Sequence, residues 1–244
     1  MLTEEYSSVA KRLKNAEQTG RRQKRMTELK AYIWDLDGTL FDSYDSIVSS
    51  LVDLAQEYQI QDSYDDIMKA VKQGSVSGYL RSVAGRLAGS AKEPAPFPAD
   101  YDFLYRRYRE ISHERLDRIT LIPGATETLS ALQAAGAKHF VYTHRGKSTD
   151  GLLKRLGLQR FFVEIVTSEN GFQPKPSGEG VAYLVEKYSL DRNHTAYVGD
   201  RTLDVLCAKD AGVKAILYVP DNSCVIPNGK EDCVIRNLEE LAGK

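Results

Sequence analysis

The 244-residue chain is long enough for one large domain or for a core with a smaller insert. Its hydrophobic fraction of 42%, charged fraction of 27% and formal net charge of −1 are ordinary for a globular protein and give no support for binding to nucleic acid or to a membrane surface. No apolar run reaches the roughly 18 residues that a transmembrane helix needs, and three cysteines without metal or redox spacing favour reduced thiols in a cytoplasmic protein.

Residues 1–25 differ from the rest of the chain because they carry seven basic and three acidic side chains. They contain no apolar segment of the kind found in a secretory signal. We predict a solvated, partly helical extension, with a basic arm that contacts a partner as the alternative. Met26 is an alternative start, because the first predicted strand begins only five residues later.

The first predicted strand covers 31–34 and leads into two aspartates, Asp35 and Asp37. Its Tyr, Ile and Trp residues are typical of a buried strand, whereas Asp and Gly are not, so we expect the strand to end near Asp35. Carboxylates spaced i, i+2 in an extended chain point the same way. They repel each other unless a cation lies between them or one of them is protonated. The segment therefore predicts a metal site, acid/base chemistry or both.

A block of predicted helices over residues 43–118 follows this segment. Apolar side chains recur on one helix face after Asp42, and the proline-rich stretch 91–98 predicts a loop. The predicted helices are one that begins after Asp42, two short ones over 65–72 and 78–87, and one that Asp100 caps and that extends to 111. The pattern over residues 43–118 therefore predicts an all-helical unit.

From Ile122 onward, predicted strands and helices alternate. The predicted strands cover 139–143, 162–167, 195–198 and 213–219. The predicted helices cover 125–135, 149–156, 180–188 and 202–211, and a short segment at 238–241 closes the chain. Repeated β-α units are typical of a parallel sheet covered on both faces. We therefore predict an α/β fold, a Rossmann-like doubly wound parallel sheet core over 26–42 and 119–244, with an all-helical cap domain over 43–118 inserted after the first strand.

Thr143 and His144 lie at the end of a predicted strand, just before a predicted helix. A hydroxyl, free backbone N–H groups and a helix start form a reasonable anion site, although an ordinary helix N-cap has the same pattern. His144 is a candidate general acid/base, with a solvated loop histidine as the alternative. The segment is therefore a candidate anion site at this strand end.

Lys175 lies between Pro174 and Pro176, which restrict the backbone and prevent a helix there. A lysine on such a stiff loop can place a point charge near a phosphate and a carboxylate, although an exposed loop lysine is the simpler alternative. We therefore treat Lys175 as a candidate phosphate-binding residue.

Asp200 and Asp204 follow the predicted strand over 195–198, and four residues separate them. Asp204 can therefore reach back from the next helix toward Asp200. Hard oxygen ligands in this arrangement suit Mg²⁺. The alternative is a favourable placement of acids at a helix N-terminus.

Together these residues resemble the four motifs of the haloacid dehalogenase (HAD) superfamily, on its phosphatase branch. The matching segments are Asp35-Leu-Asp37-Gly-Thr39, Thr143, Lys175 and Gly199-Asp200-x-x-x-Asp204. The resemblance covers about residues 30–220. The helical block is similar to the small helical cap of the phosphoglycolate phosphatase and β-phosphoglucomutase group.

The resemblance implies a Mg²⁺-dependent phosphatase of small phosphomonoesters that works through an aspartyl-phosphate. Asp35 would be the nucleophile, and Asp37 would act first as acid and then as base. The implied phosphate-binding residues are Thr143 and Lys175, with His144 as a candidate beside them. The implied metal-binding residues are Asp35, Asp37 through its backbone carbonyl, Asp200 and Asp204. The implied partner is a small phosphorylated metabolite, bound by a cytoplasmic monomer or homodimer.

Two alternatives stay open: a phosphomutase of a sugar phosphate, and a non-catalytic phospholigand-binding protein on the same fold. Asp37 favours phosphate chemistry, since the dehalogenases of the superfamily lack this second acid. Gly199 before Asp200 favours hydrolysis, because the mutases typically carry Glu there. His144 and Arg145 depart from the commoner pattern, in which Asn follows the Thr. A dinucleotide-binding site would need G-x-G-x-x-G after the first strand, where this chain has Asp-Gly-Thr.

Overall fold

A computed structural model of the protein describes residues 28–90, 100–221 and 223–243. The predicted basic extension over 1–25, the alternative start at Met26 and the predicted loop over 91–98 lie outside these ranges. No helix within the described ranges is long and apolar enough to cross a membrane.

The described residues form a six-stranded parallel sheet. Its strands are β1 (Ala31–Trp34), β4 (Lys138–Tyr142), β5 (Phe162–Val166), β6 (Thr195–Gly199), β7 (Lys214–Tyr218) and β8 (Cys233–Ile235). Their spatial order across the sheet is β5-β4-β1-β6-β7-β8. Strand β1 lies between β4 and β6, and Trp34 is in register with Val141 and Val198. The chain continues outward from β1 in both directions, so the carboxyl end of β1 is the switch point at which open α/β sheets bind ligands.

Two apolar clusters cover the two faces of the sheet, as a doubly wound fold requires. Neighbouring residues of β1 point to opposite faces, so Trp34 belongs to one cluster and Ile33 to the other. Helices α5 (Ala125–Ala134) and α6 (Ser148–Arg155) pack in the first cluster, and α7 (Glu179–Lys187) and α8 (Thr202–Asp210) in the second. The predicted fold class is therefore confirmed.

The helical cap consists of α1 (Tyr44–Glu57), α2 (Tyr64–Gln73), α3 (Val76–Ser90) and α4 (Tyr101–His113). Ser63 caps α2 with a capping box, and the side chain of Asp100 caps α4 by accepting from the N–H of Phe103. A third apolar cluster holds these helices together, and its fully buried members lie between Tyr44 and Ile111. The predicted helices of the block are confirmed within a few residues at each end, while the domain boundaries at 43 and 118 stay a prediction.

Three short strands, β2 (Phe41–Asp42), β3 (Thr120–Leu121) and β8, are not among the predicted elements. Strands β2 and β3 form an antiparallel ribbon where the chain enters and leaves the cap. Strand β8 adds a sixth strand at the edge of the sheet. Segments of two or three residues carry no detectable periodicity, which explains why the sequence pattern does not indicate them.

Candidate active site

The candidate residues meet at the carboxyl edge of the sheet. Asp35 directly follows β1, and its backbone N–H donates to Val198 O at 2.9 Å, which continues the strand ladder by one residue. Thr143 follows β4 and donates its N–H to Val166 O at 3.0 Å. Asp200 follows β6. The parallel strands therefore bring Asp35 to the same sheet edge as Thr143 and Asp200, both of which lie more than 100 residues further along the chain.

A tight turn after Asp35 reverses the chain beneath the site. The carbonyl of Leu36 accepts hydrogen bonds from the N–H groups of Thr39, Leu40 and Phe41 at 2.8–3.1 Å. Gly38 has φ +81°, in the left-handed region that glycine adopts without steric cost. The Asp-Gly-Thr sequence therefore forms the turn that reverses the chain after β1, and Gly38 adopts the left-handed conformation that this turn contains.

Lys175 links two carboxylates in the interior of the site. Its Nζ donates to Asp35 Oδ1 at 2.8 Å and to Asp204 Oδ1 at 2.7 Å, and each of the three residues is at most 5% exposed. Burial alone would lower the pKa of Lys175, but the charges of Asp204 and Asp35 outweigh it and hold the pKa above its ordinary value. The lysine therefore stays cationic beside the predicted nucleophile.

Three carboxylates form a cluster that fits a hard cation. Ligand atoms of Asp35, Asp200 and Asp204 lie within 4.8 Å of one another. Two of their buried oxygens, Asp35 Oδ2 and Asp200 Oδ1, have no hydrogen-bond partner among the described residues, and we call them the open oxygens. Burial raises the pKa of Asp35 and raises that of Asp200 to about 7, so their ionised forms need nearby positive charge. Buried, open carboxylate oxygens are the donors that Mg²⁺ prefers.

The backbone of Gly199 leaves room for this cluster. A Cβ atom added at Gly199 would collide with the side chain of Asp204, which packs back against the end of β6. The N–H of Arg201 donates to Asp204 Oδ2 at 3.0 Å, which fixes that carboxylate at the start of α8. The Gly-Asp-x-x-x-Asp spacing thus folds both acids onto one location, as the sequence predicts.

Asp37 is paired with Arg145 rather than with the carboxylate cluster. The guanidinium donates from Nη2 to Asp37 Oδ1 at 2.5 Å and from Nε to both carboxylate oxygens at 3.1 Å, while Nη1 donates to Ser148 Oγ. Burial raises the pKa of Asp37, but the charge and hydrogen bonds of Arg145 outweigh it, so the pKa lies below its usual range. The paired guanidinium therefore favours the ionised form of Asp37.

His144 connects the loop after β4 to the lysine loop. Its Nε2 accepts a hydrogen bond from the backbone N–H of Lys175 at 2.8 Å. Burial, followed by the charges of Lys175 and Arg201, lowers the pKa of His144 to about 3, so the ring is neutral. The hydroxyl of Thr143 accepts from the N–H of Arg145 at 3.1 Å. The phosphate-binding roles of Thr143 and His144 stay predictions.

A cavity of about 630 Å³ lies between the cap and the sheet edge. Its lining includes Tyr105, Tyr108 and Arg109 from α4 of the cap, facing Asp37, Arg145 and Arg201 of the core. Arg201 is 8% exposed, and its Nε has no hydrogen-bond partner in the part of the chain that the structure describes. That nitrogen lies 4.0 Å from Asp200 Oδ1 and 3.9 Å from Asp204 Oδ2. Arg201 therefore lies both in the cavity wall and beside the carboxylate cluster.

Arg145 and Arg201 line the cavity, although neither is among the predicted site residues. Each lies inside or beside a recognised segment, two residues after Thr143 and one residue after Asp200. These positions, together with the departure of Arg145 from the commoner motif, are the signals that the sequence offers. The acid that each arginine faces depends on how separate strands are ordered in the sheet.

Comparisons with known proteins agree with this geometry. A family model described as haloacid dehalogenase-like hydrolase matches residues 32–218. A phosphoglycolate phosphatase from Agrobacterium fabrum is 34% identical over 189 residues, which cover 75% of this chain and 78% of that protein. The pyrophosphatase PpaX from Bacillus velezensis is 28% identical, with 78% of this chain and 82% of that protein covered.

A solved structure with a similar fold comes from Haemophilus somnus and is described as a predicted phosphoglycolate phosphatase. It has a TM-score of 0.76 and 24% sequence identity, and the match covers 88% of this chain and 97% of that one. The family model spans most of the chain, and Asp35, Lys175, Asp200 and Asp204 lie together at one sheet edge within the matched residues. The chain therefore belongs to the haloacid dehalogenase-like hydrolases and is a phosphatase of their phosphoglycolate phosphatase-like group.

Proposed function

We propose that this chain hydrolyses small phosphomonoesters with Mg²⁺ as cofactor and with an aspartyl-phosphate on Asp35 as the intermediate. One observation carries the proposal: buried Lys175 bridges Asp35 and Asp204, while the open oxygens of Asp35 and Asp200 lie in the same cluster. A nucleophilic anion that approaches an anionic phosphate needs this positive charge. The arrangement therefore suits attack by Asp35 on phosphorus.

In the first step, a carboxylate oxygen of Asp35 forms a bond to phosphorus, and the bond from phosphorus to the leaving oxygen breaks. Asp37, two residues along the chain, donates its proton to that oxygen. The products are an aspartyl-phosphate and an alcohol, with Asp37 left as a carboxylate. Lys175 offsets negative charge at the reacting centre and keeps Asp35 in position.

In the second step, Asp37 accepts a proton from a water molecule whose oxygen attacks phosphorus. The bond between phosphorus and Asp35 breaks, which releases inorganic phosphate and restores the carboxylate. Thr143 and Lys175 are the proposed contacts for the phosphate oxygens. Closure of the cap over the cavity would exclude other water during the first step.

The proposed metal ligands are Asp35, Asp200, Asp204 and the backbone carbonyl of Asp37. When bound there, Mg²⁺ would supply positive charge that neutralises phosphate oxygens as charge develops on them. The open oxygens support this assignment, because burying unpaired carboxylate oxygens is otherwise costly.

We further propose that the leaving group carries a second negative charge. Arg145, Arg201 and Arg109 all line the cavity. The names of the relatives fit this proposal, since phosphoglycolate would release a carboxylate-bearing alcohol and pyrophosphate would release a phosphate. An anionic leaving group that attracts Arg145 would also free Asp37 to take up the proton it must donate. The proposed partner is thus a small phosphorylated metabolite, bound by a cytoplasmic monomer or homodimer.

A panel of phosphate esters tests the proposal. Phosphoglycolate, pyrophosphate, sugar phosphates and nucleoside monophosphates are incubated with the protein and Mg²⁺, and inorganic phosphate is measured. Asp35→Asn removes the nucleophile and should lower turnover by at least about a thousandfold. Asp42→Asn, the same chemical change at an exposed acid seven residues further on, should leave turnover unchanged.

Acid quenching of a reaction with radiolabelled phosphate ester should trap label on wild-type protein and on the Asp42 variant. Label that is absent from both of these proteins at every quench time, despite rapid turnover, would count against the covalent intermediate, and label on Asp35→Asn would place it on another residue. Undiminished turnover by Asp35→Asn would refute the assignment of Asp35 as the nucleophile. Label recovered on an added sugar phosphate instead of in inorganic phosphate would identify a phosphomutase.

A further inference from the structure

Tyr44 is a cap residue that reaches into the carboxylate cluster. It is the first residue of α1 and is 8% exposed. Its hydroxyl donates to Asp200 Oδ2 at 2.8 Å, across 156 residues of sequence. None of the four motifs includes Tyr44, and the steps described above do not use it.

The hydrogen bond to Tyr44 distinguishes the two oxygens of Asp200. Oδ2 accepts from the tyrosine, whereas Oδ1 is one of the open oxygens and lies 4.0 Å from Arg201 Nε. A carboxylate held at one oxygen has a defined direction for the other. The hydrogen bond from Tyr44 thus occupies Oδ2 and leaves Oδ1 as the oxygen of Asp200 that is open to a ligand.

The ring of Tyr44 is held from two sides. A Cβ atom added at Gly38 would collide with the ring and would lie 2.5 Å from Asp200 Oδ2, so both groups pack directly on the backbone of the turn after β1. On the cap side, Lys72 Nζ from α2 lies 4.5 Å from the centre of the ring. The tyrosine thus contacts the turn, an acid of the cluster and a second cap helix at once.

We propose that Tyr44 is a positioning residue that orients Asp200 for metal binding and connects the metal site to the cap. The inference rests on the proposed function, because it assigns Asp200 to the metal. Partners that hold a metal ligand in place typically contribute a factor of about 10–100 to metal affinity. Because Tyr44 belongs to the cap, a metal that favours this orientation of Asp200 also favours the cap position in which the hydrogen bond forms.

Direct titration with Mn²⁺, followed by the electron paramagnetic resonance signal of the free ion, measures the effect without relying on turnover. Tyr44→Phe removes one oxygen and keeps the ring, so we expect the dissociation constant for Mn²⁺ to rise about 10–100-fold. Competition with Mg²⁺ in the same assay should show a parallel loss. Circular dichroism and thermal unfolding of the metal-free variant report whether the fold is retained.

Tyr79→Phe is the matched control. Tyr79 also lies in the cap, is buried, and donates its hydroxyl to an aspartate, Asp62, at 2.9 Å. Removing that hydroxyl should leave Mn²⁺ affinity unchanged, because Asp62 is not part of the carboxylate cluster. The control separates loss of a cap hydrogen bond from loss of the bond to Asp200.

The outcomes distinguish the positioning role of Tyr44 from the metal assignment on which it rests. Equal Mn²⁺ affinity of Tyr44→Phe and wild type would overturn the positioning role and leave the proposed function intact. A wild-type protein that binds neither Mn²⁺ nor Mg²⁺ would instead overturn the metal assignment. Loss of the fold in Tyr44→Phe, or an equal loss of affinity in Tyr79→Phe, would make the effect structural and would also refute the inference.

Discussion

Ion pairs form both at the carboxyl edge of the sheet and in the cap, but the pairs at the sheet edge are buried and those in the cap are exposed. The side chains of Lys175 and Asp35 are 0% and 1% exposed, whereas those of Arg107 and Glu57, paired across α4 and α1, are 39% and 38% exposed. Exposed pairs contribute little to stability because water solvates the separated charges almost equally well. Buried charges lose that solvation and depend entirely on their partners.

The two regions therefore differ in what a single substitution leaves behind. In the cap, removal of one charge leaves its partner in water. At the sheet edge, removal of one charge leaves a buried ion without compensation, since the described acids Asp35, Asp37, Asp200 and Asp204 face the cations Lys175, Arg145 and Arg201. The sheet edge therefore suits a charged ligand. It should tolerate the loss of one of its charged side chains poorly.

Lys175→Met should have the largest effect of the substitutions that test this difference. It leaves Asp35 and Asp204 buried without their shared cation, so we expect the free energy of unfolding to fall by about 3–5 kcal/mol. Turnover should fall by about 10²–10³-fold, because a preorganised charge at the reacting centre is lost. Urea unfolding in the presence of a chelator measures the first effect, and phosphate release with saturating Mg²⁺ measures the second.

Arg107→Met in the cap is the control for Lys175→Met. Arg107 Nη2 lies 2.6 Å from Glu57 Oε1, and its Nη1 lies 2.9 Å from Glu110 Oε2, so it also bridges two carboxylates. Its removal should cost less than about 1 kcal/mol and leave turnover unchanged. Equal losses of stability in the two variants would refute the contrast between buried and exposed bridges.

Arg145→Gln tests whether the cationic wall selects the substrate. If a second anion of the substrate binds Arg145, kcat/KM for phosphoglycolate should fall about 30-fold or more, because one member of a buried charge pair is missing. Turnover of ethyl phosphate, whose leaving group is neutral, should change much less. Lys147→Gln, an exposed cavity-lining cation two residues further along the same loop, should affect neither substrate strongly. A uniform loss on both substrates would assign Arg145 to the fold and not to selectivity.

The positions of the acids at the sheet edge follow from local signals in the sequence, while their roles stay predictions. Asp35 and Asp200 end apolar runs, and parallel strands bring such ends to one edge. The pairing of Arg145 with Asp37 joins residues 108 positions apart. That of Tyr44 with Asp200 spans 156 positions. Such contacts depend on strand order and side-chain direction, which composition and periodicity do not contain.

His139 is a buried titratable group with no ionic partner among the described residues. It lies at the start of β4, where Trp34 Nε1 donates to its Nδ1 at 3.1 Å and its Nε2 faces Leu129 O at 3.2 Å. These contacts define a neutral ring that donates from Nε2. Burial lowers the pKa of His139 to about 4, against about 6.5 for an unperturbed histidine. Lys175 remains charged when buried because two acids contact it, whereas His139 becomes neutral.

The pH dependence of stability measures this difference. Because the folded pKa of His139 lies below the unfolded one, its contribution is fully present above pH 6.5 and is lost as the pH falls from about 6.5 toward 4. Between pH 7.5 and pH 5, wild type should lose about 2 kcal/mol more of its free energy of unfolding than His139→Gln, which does not titrate. Urea unfolding of both proteins at the two pH values gives the comparison, and carboxylate titrations common to both cancel in it. Parallel losses in the two proteins would mean that the ring is protonated in the fold without cost, and burial alone would then not explain why the charged groups of this chain need partners.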